Sequence, residues 1–228
     1  MPSRSGSAIP SAMTSPAEPL RLPAGLPDDR PVALLVRHAE RPAIPEGSMG
    51  MDLAITERGA AAARSLGARL GSRVLRVHTS AIRRCVQTAQ AIIAGAGVAL
   101  EPVEDGALGV PSTFALASPE ALATIQELGF DGLMEHLVRG DKPLPGLPHP
   151  AEGARLLREH ALSLLDGPPG LHVLVTHDAM IAALVARSTA AFFAHDDWPR
   201  FLESTALWRD GHSPVLAYRE RVERLAAS

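Results

Sequence analysis

Val32-Ala33-Leu34-Leu35-Val36-Arg37-His38-Ala39-Glu40-Arg41-Pro42 is the stretch on which the fold turns. Its first five residues are apolar without a break, and the next two are Arg and His. A short continuous apolar run predicts a strand covered on both faces, as in a parallel sheet. Leu171 to Thr176 reads the same way and runs into His177-Asp178. Between them, Val74 to His78 and Val98 to Val103 read as further strands, with a helix from Thr56 to about Leu70 and another from Ile82 to Ala94, stopped by Gly95 and Gly97. Helices are also expected near Pro119 to Leu128, from Ala151 to Leu165 and from Ala179 to Ser188. A hairpin is expected from Thr205 to Trp208 and Val215 to Tyr218, turning at Asp210-Gly211.

Strands alternating with helices imply one α/β domain, three-layered, with a mostly parallel central sheet and helices on both faces. The chain divides into a Pro-, Ser- and Ala-rich lead-in over 1–29, expected to be disordered, and a catalytic domain over 30–228. Arg4, the serines and the few acids of the lead-in leave a cleaved transit segment as the other reading of it. Ligands of such sheets bind beyond the carboxyl ends of the strands. That rule selects Arg37-His38, Thr79-Ser80, Glu104-Asp105 and His177-Asp178.

Composition narrows the classes of function. The 228 residues carry a formal net charge of -3 and 46% hydrophobic residues, so no global basic field points to nucleic acid. The longest apolar run, Ala179 to Ala186, is far short of the roughly 18 residues of a membrane span. The default compartment is the cytoplasm. A single cysteine, Cys85, excludes an internal disulfide and a Cys-rich zinc site. His78, His136, His149, His160, His172, His195 and His212 lack ligand spacing, so neither metal nor cofactor is expected.

Four ordered motifs carry a resemblance. Arg37-His38-Ala39-Glu40-Arg41-Pro42 resembles the Arg-His-Gly signature of the histidine phosphatase superfamily, which includes phosphoglycerate mutases and histidine acid phosphatases. Leu53-Ala54-Ile55-Thr56-Glu57-Arg58-Gly59 resembles its Leu-Thr-x-x-Gly helix start. Ser80 to Ala89 is similar to its Ser-x-x-x-Arg-x-x-x-Thr-Ala segment, and Val175-Thr176-His177-Asp178 to its second-histidine motif. The resemblance implies a phosphoglycerate mutase-like fold and a phosphomonoesterase working through a phosphohistidine. His38 is then the nucleophile, Arg37, Arg84 and His177 hold the phosphoryl oxygens, and Arg41 lines the entrance.

The chemistry agrees with those residue types. Phosphoryl transfer needs fixed cations around the non-bridging oxygens, and guanidinium presents a planar fork matched to phosphate. The nucleophilic imidazole must be neutral, so its second nitrogen is expected to be held by a backbone carbonyl. Ser80 and Thr88 read as supporting hydroxyls, Arg83 as a surface charge, and Cys85 as inert.

The proton donor divides the family. Val110 falls where mutase-like members carry a glutamate, whereas His177-Asp178 and Arg41-Pro42 match the acid phosphatases, so Asp178 is the favoured acid. Glu104, Asp105 and Glu40 are the alternatives. A small phosphorylated metabolite is the expected substrate, through the wall formed by residues 106–150. A regulatory protein phosphatase acting on phosphohistidine or phosphoserine, and a phosphomutase-like or biosynthetic member, remain as other readings.

Overall fold

The structure, a computed structural model, describes residues 22–45, 48, 50–189, 191, 193 and 197–226. Most of the expected lead-in (1–21) and His195 therefore lie outside the described residues. Residues 22–29, expected with the lead-in, are instead held to the fold. Leu22 and Leu26 pack against the core, Ala24 N–H donates to Arg219 O at 2.8 Å, and Arg73 donates to Pro27 O at 2.6 Å.

The elements in chain order are β1 (Pro31–Arg37), α1 (Glu57–Leu70), β2 (Val74–Thr79), α2 (Arg83–Ala96), β3 (Val103–Glu104), α3 (Pro119–Arg139), α4 (Pro150–Ser163), β4 (Gly170–Thr176), α5 (Asp178–Ser188), β5 (Ser204–Asp210), β6 (Ser213–Tyr218) and β7 (Arg221–Arg224), with a short 3-10 turn at Gly71–Arg73. Seven strands form one sheet in the order β3-β2-β4-β1-β5-β6-β7. It is parallel from β3 to β1 and antiparallel from β5 outward.

Helices cover both faces, and the apolar run of β1 shows why. Ala33 and Leu35 join one buried cluster with α4 and α5, while Val32, Leu34 and Val36 join the other with α1 and α2. Successive side chains of a strand point to opposite faces, so a strand buried on both must be apolar throughout. On the second face α1 and α2 approach until backbones nearly touch. A Cβ on Gly67 would lie 2.0 Å from Ile92 O, and one on Gly95 2.0 Å from Arg64 O. Any larger residue at either position forces the helices apart.

Three elements differ from the sequence reading. The third strand shrinks from Val98–Val103 to two residues at the sheet edge, and Val98 and Leu100 pack from irregular chain instead. The helix expected to stop at Leu128 continues to Arg139, because Gly129, at φ 63°, kinks it without ending it. A last strand, β7, pairs with β6 where none was expected.

The sheet register sets up the site. β1 and β4 pair in parallel with Arg37 opposite Thr176, so His38 and His177 leave adjacent strand ends side by side. From there β1 leads to α1 on one face and β4 to α5 on the other. Such a divergence is the crevice where open α/β sheets hold ligands.

Candidate active site

Arg37 ends β1 and is almost wholly covered. Its Nη1 donates to Pro199 O at 2.6 Å, its Nη2 lies 2.6 Å from Asp178 Oδ2, and its guanidinium stacks on Phe201 at 4.3 Å from the ring centroid. His38 follows, its backbone N–H donating to Thr176 O at 2.9 Å. Its Nδ1 is 2.8 Å from Ala39 O. A carbonyl only accepts, so Nδ1 carries the proton and Nε2 keeps its lone pair. Burial pushes the imidazole down to about 2, opposed by the Ala39 carbonyl and helped by His177, Arg37 and Arg84. His38 is therefore neutral, with one nitrogen pinned and the other nucleophilic in character.

Arg84 sits in the first turn of α2, buried, while its neighbour Arg83 is exposed. Its Nη1 donates to Gly50 O at 2.8 Å and its Nη2 faces His177 Nδ1 at 3.4 Å. Thr88, one turn on, ties this helix to the His38 loop. Its hydroxyl donates to Arg84 O at 2.7 Å and accepts from Ala39 N–H at 2.9 Å.

His177 caps α5 and lies with its ring centroid 5.5 Å from that of His38. Its Nε2 is 3.4 Å from Ser80 Oγ and 3.6 Å from Cys85 Sγ. Burial, then Arg84, Arg37 and Arg41, push this imidazole down to about 3. Cys85 itself is driven up to about 12 by burial, which leaves an unreactive thiol filling space beneath His177. Asp178 opens α5, where an acid is favoured by the helix dipole, and its Oδ1 accepts from Ala179 N–H at 2.9 Å. Arg41 donates to Pro42 O at 2.8 Å and stands close enough for its charge to bear on Asp178, Arg84 and His177.

The structure thus brings together Arg37, His38, Arg41, Arg84, His177 and Asp178. Among the described residues, the Nε groups of Arg37, Arg41 and Arg84 are buried without a hydrogen-bond partner. Orphaned buried donors are costly, and three of them on cations around one neutral histidine fit an anion with several oxygens.

The alternative acids are placed elsewhere. Glu40 is gripped by Arg58 and by the Thr56 hydroxyl (3.1 Å), which hold its carboxyl below the usual range. Glu104 is exposed on β3. Asp105 accepts from His160 Nε2 at 2.7 Å and from Ala107 N–H at 3.0 Å, with His78 Nδ1 at 3.6 Å. Burial works to raise that carboxyl, but the His160 and Ala107 hydrogen bonds outweigh it and the net shift is downward.

Gly50, Pro199 and Phe201 were not singled out from sequence. Two act through backbone carbonyls, which no side-chain pattern reveals, and Phe201 stands alone in a stretch without a motif. Among the described residues no group of three or more His, Cys, Asp or Glu is arranged to hold a metal ion, and no helix is long and apolar enough to cross a membrane.

Residues 33–108 match the model of the histidine phosphatase superfamily (branch 1). No curated protein sequence matches the chain. Among solved structures, a mycobacterial glucosyl-3-phosphoglycerate phosphatase is 21% identical with a TM-score of 0.52, covering 87% of this chain and 99% of its own. A phosphoserine phosphatase mutant from Entamoeba histolytica, solved with phosphoserine, is 18% identical with a TM-score of 0.53, covering 82% and 94%. At these identities the likeness is one of fold. The family model spans residues 33–108, which include Arg37, His38 and Arg84, and over most of its length the chain shares the fold of these phosphatase structures.

Proposed function

We propose that this protein hydrolyses a small phosphomonoester by double displacement at His38. The observation that carries the reading is the state of His38, neutral, with Nδ1 pinned by Ala39 O, amid arginines whose buried Nε groups lack partners among the described residues. His38 Nε2 attacks phosphorus and the P–O ester bond breaks. Arg37, Arg84 and His177 hold the non-bridging oxygens, and Arg41 adds positive charge at the entrance. Asp178 gives its proton to the leaving oxygen. Water then attacks the phosphohistidine, with the Asp178 carboxylate taking its proton, and His38 is regenerated. Stabilisation of the charge on the transferring group is the largest contribution asked of the arginines.

In this reading residues 106–150 supply one wall of the substrate site. Leu108 O accepts from the Thr176 hydroxyl at 2.8 Å, and Gly109 packs so closely on Ser80 that a Cβ would lie 2.6 Å from its Oγ. The reading includes cytoplasmic location and independence of divalent metals. A panel of sugar, alkyl, amino-acid and aryl phosphates assayed for phosphate release tests it. Turnover of at least one, competitive inhibition by vanadate and indifference to a chelator are expected. Activity that vanishes with chelator and returns with a divalent ion overturns the mechanism.

A further inference from the structure

Five residues before β5, Pro199-Arg200-Phe201-Leu202-Glu203, form a turn that converges on Arg37. Pro199 O accepts from Arg37 Nη1 at 2.6 Å, and the guanidinium carbon lies 4.3 Å from the centroid of the Phe201 ring. Leu202 N–H donates to Arg37 O at 3.2 Å, and Glu203 O accepts from Arg37 N–H at 3.0 Å. The turn is not a relaxed one. Among the described residues, Leu202 at φ 62° and Arg219 at φ 53° are the two non-glycine residues in the left-handed region. A residue with a Cβ is uncommon there, and it persists only where its surroundings over-determine it. Leu202 lies within the turn, and Arg219 ties the turn down. The ties meet at Glu203. Its Oε2 accepts from Arg200 N–H at 2.8 Å and its own N–H donates to Arg200 O at 3.0 Å, which closes the turn. Its Oε1 accepts from Arg219 Nε at 2.7 Å, and Arg219, just past β6, is also paired with Asp197. Burial works to raise the Glu203 carboxyl, but these hydrogen bonds outweigh it and the net shift is downward.

We propose that Glu203 is a positioning residue: latched by Arg219, it locks the 199–203 turn, and the turn fixes the Arg37 guanidinium. The proposal rests on the phosphatase reading above, in which Arg37 holds phosphoryl oxygens. An arginine side chain has several rotamers to lose, and a group already held in place spends less of the substrate's binding energy on ordering. Pro199 O and the Phe201 ring hold this one from two sides. They also set which part of the fork stays open. Nη1 is taken by Pro199 O and Nη2 by Asp178, while Nε is buried with no partner among the described residues. The Phe201 ring reaches His38 as well, with 5.6 Å between centroids, so the same turn packs against both residues at the end of β1. Glu203 itself acts on the reaction only through Arg37.

A double-mutant cycle on the full chain tests this. Glu203→Ala is expected to lower kcat/KM for a phosphomonoester by about 10–10²-fold, the cost of a misplaced group. In an Arg37→Ala background the same change is expected to cost no more than about 2-fold, since the residue it acts through is gone. Equal losses in both backgrounds, or no loss in the first, overturn the proposal. Where Glu203→Ala does not fold, Arg219→Gln, at a partly exposed position, takes its place with the same expectations. Nitrogen NMR of the Arg37 side chain, assigned by its disappearance in Arg37→Ala, reads the latch without turnover. Its two Nη signals are expected to be separate in the wild type and merged in the folded latch variant, as the guanidinium regains rotation. Signals merged already in the wild type, or still separate in the variant, overturn the proposal. A wild type that releases phosphate from no ester overturns the phosphatase reading instead, and the NMR comparison still decides the latch.

Discussion

The polar clusters around His38 and around Asp105 are both reached from the carboxyl ends of parallel strands, yet they are built on opposite principles. Around Asp105 a single acid is met by two imidazoles and a backbone N–H, so its charge is answered by its neighbours, although His78 Nε2 is buried without a hydrogen-bond partner among the described residues. Around His38 three arginines gather with one acid among them, and each keeps a buried Nε without a partner among the described residues. A cluster whose one acid is met by its own neighbours holds a fold together. A cluster with surplus cations is complete only with an anion.

The histidines carry the same contrast. His160 is raised, chiefly by its hydrogen bond to Asp105, whereas His38 and His177 are driven far down, chiefly by burial.

This contrast can be broken by mutation, and the largest effect is expected at His38. His38→Ala should abolish turnover and leave the circular dichroism spectrum and melting behaviour close to wild type. Retention of substantial activity by a folded His38→Ala protein would contradict the nucleophile assignment. Asp178→Asn should slow phosphoryl transfer from alkyl phosphates by about 10²–10⁴-fold and spare an aryl phosphate, whose leaving group needs no proton. The comparison must be read on formation of the phosphoenzyme, since the second step uses Asp178 with either substrate. An equal loss on both would remove Asp178 as donor. Arg84→Ala should reduce kcat/KM by about 10²–10³-fold, the usual effect of one lost oxyanion donor.

Asp105→Asn sharpens the comparison from the other side. It should lower stability by about 1–3 kcal/mol, as loss of a buried charged hydrogen-bond acceptor does, while kcat on an alkyl phosphate changes only a few-fold. A large selective alkyl defect would instead move the acid to Asp105.

How much of this was legible in the sequence follows from the range of the interactions. β1 and β4 announce themselves because burial on both faces demands unbroken apolar runs, and their register alone puts Arg37-His38 beside His177-Asp178. Edge strands carry no such demand. β3 exposes Val103 and keeps only the last residue of the strand expected over Val98 to Val103, and β7, which reads Arg-Val-Glu-Arg, does not stand out as a strand. Gly129 reads as a helix stop, yet packing beyond it by Met134, Leu137 and Val138 carries α3 across the kink. The pairing of Asp105 with His78 and His160 arises only through the fold. Likewise nothing local marks Gly50 as the carbonyl that braces Arg84.

An effect of a different kind is expected on pH-dependent stability. His38 and His177 have an ordinary value of 6.5 when unfolded and lie at about 2 and about 3 in the fold. Below about pH 6.5 the unfolded chain binds protons that the folded one refuses, so stability falls as pH drops, by up to about 1.4 kcal/mol per pH unit for each histidine. His160 works the other way, contributing stability below 6.5 that is lost as pH rises through its raised value. Denaturant midpoints from pH 7 to 4 should fall, and His38→Ala should flatten the slope. A midpoint that rises toward pH 4 would contradict the buried neutral pair.

The most direct test of the central claim, that the cation-rich cluster transfers a phosphoryl group to His38, is chemical trapping. Enzyme quenched within milliseconds of mixing with a radiolabelled phosphomonoester should carry an acid-labile, base-stable label. Peptide mapping should place it on His38, and His38→Ala should carry none. An acid-stable label, or one that survives His38→Ala, would contradict the account.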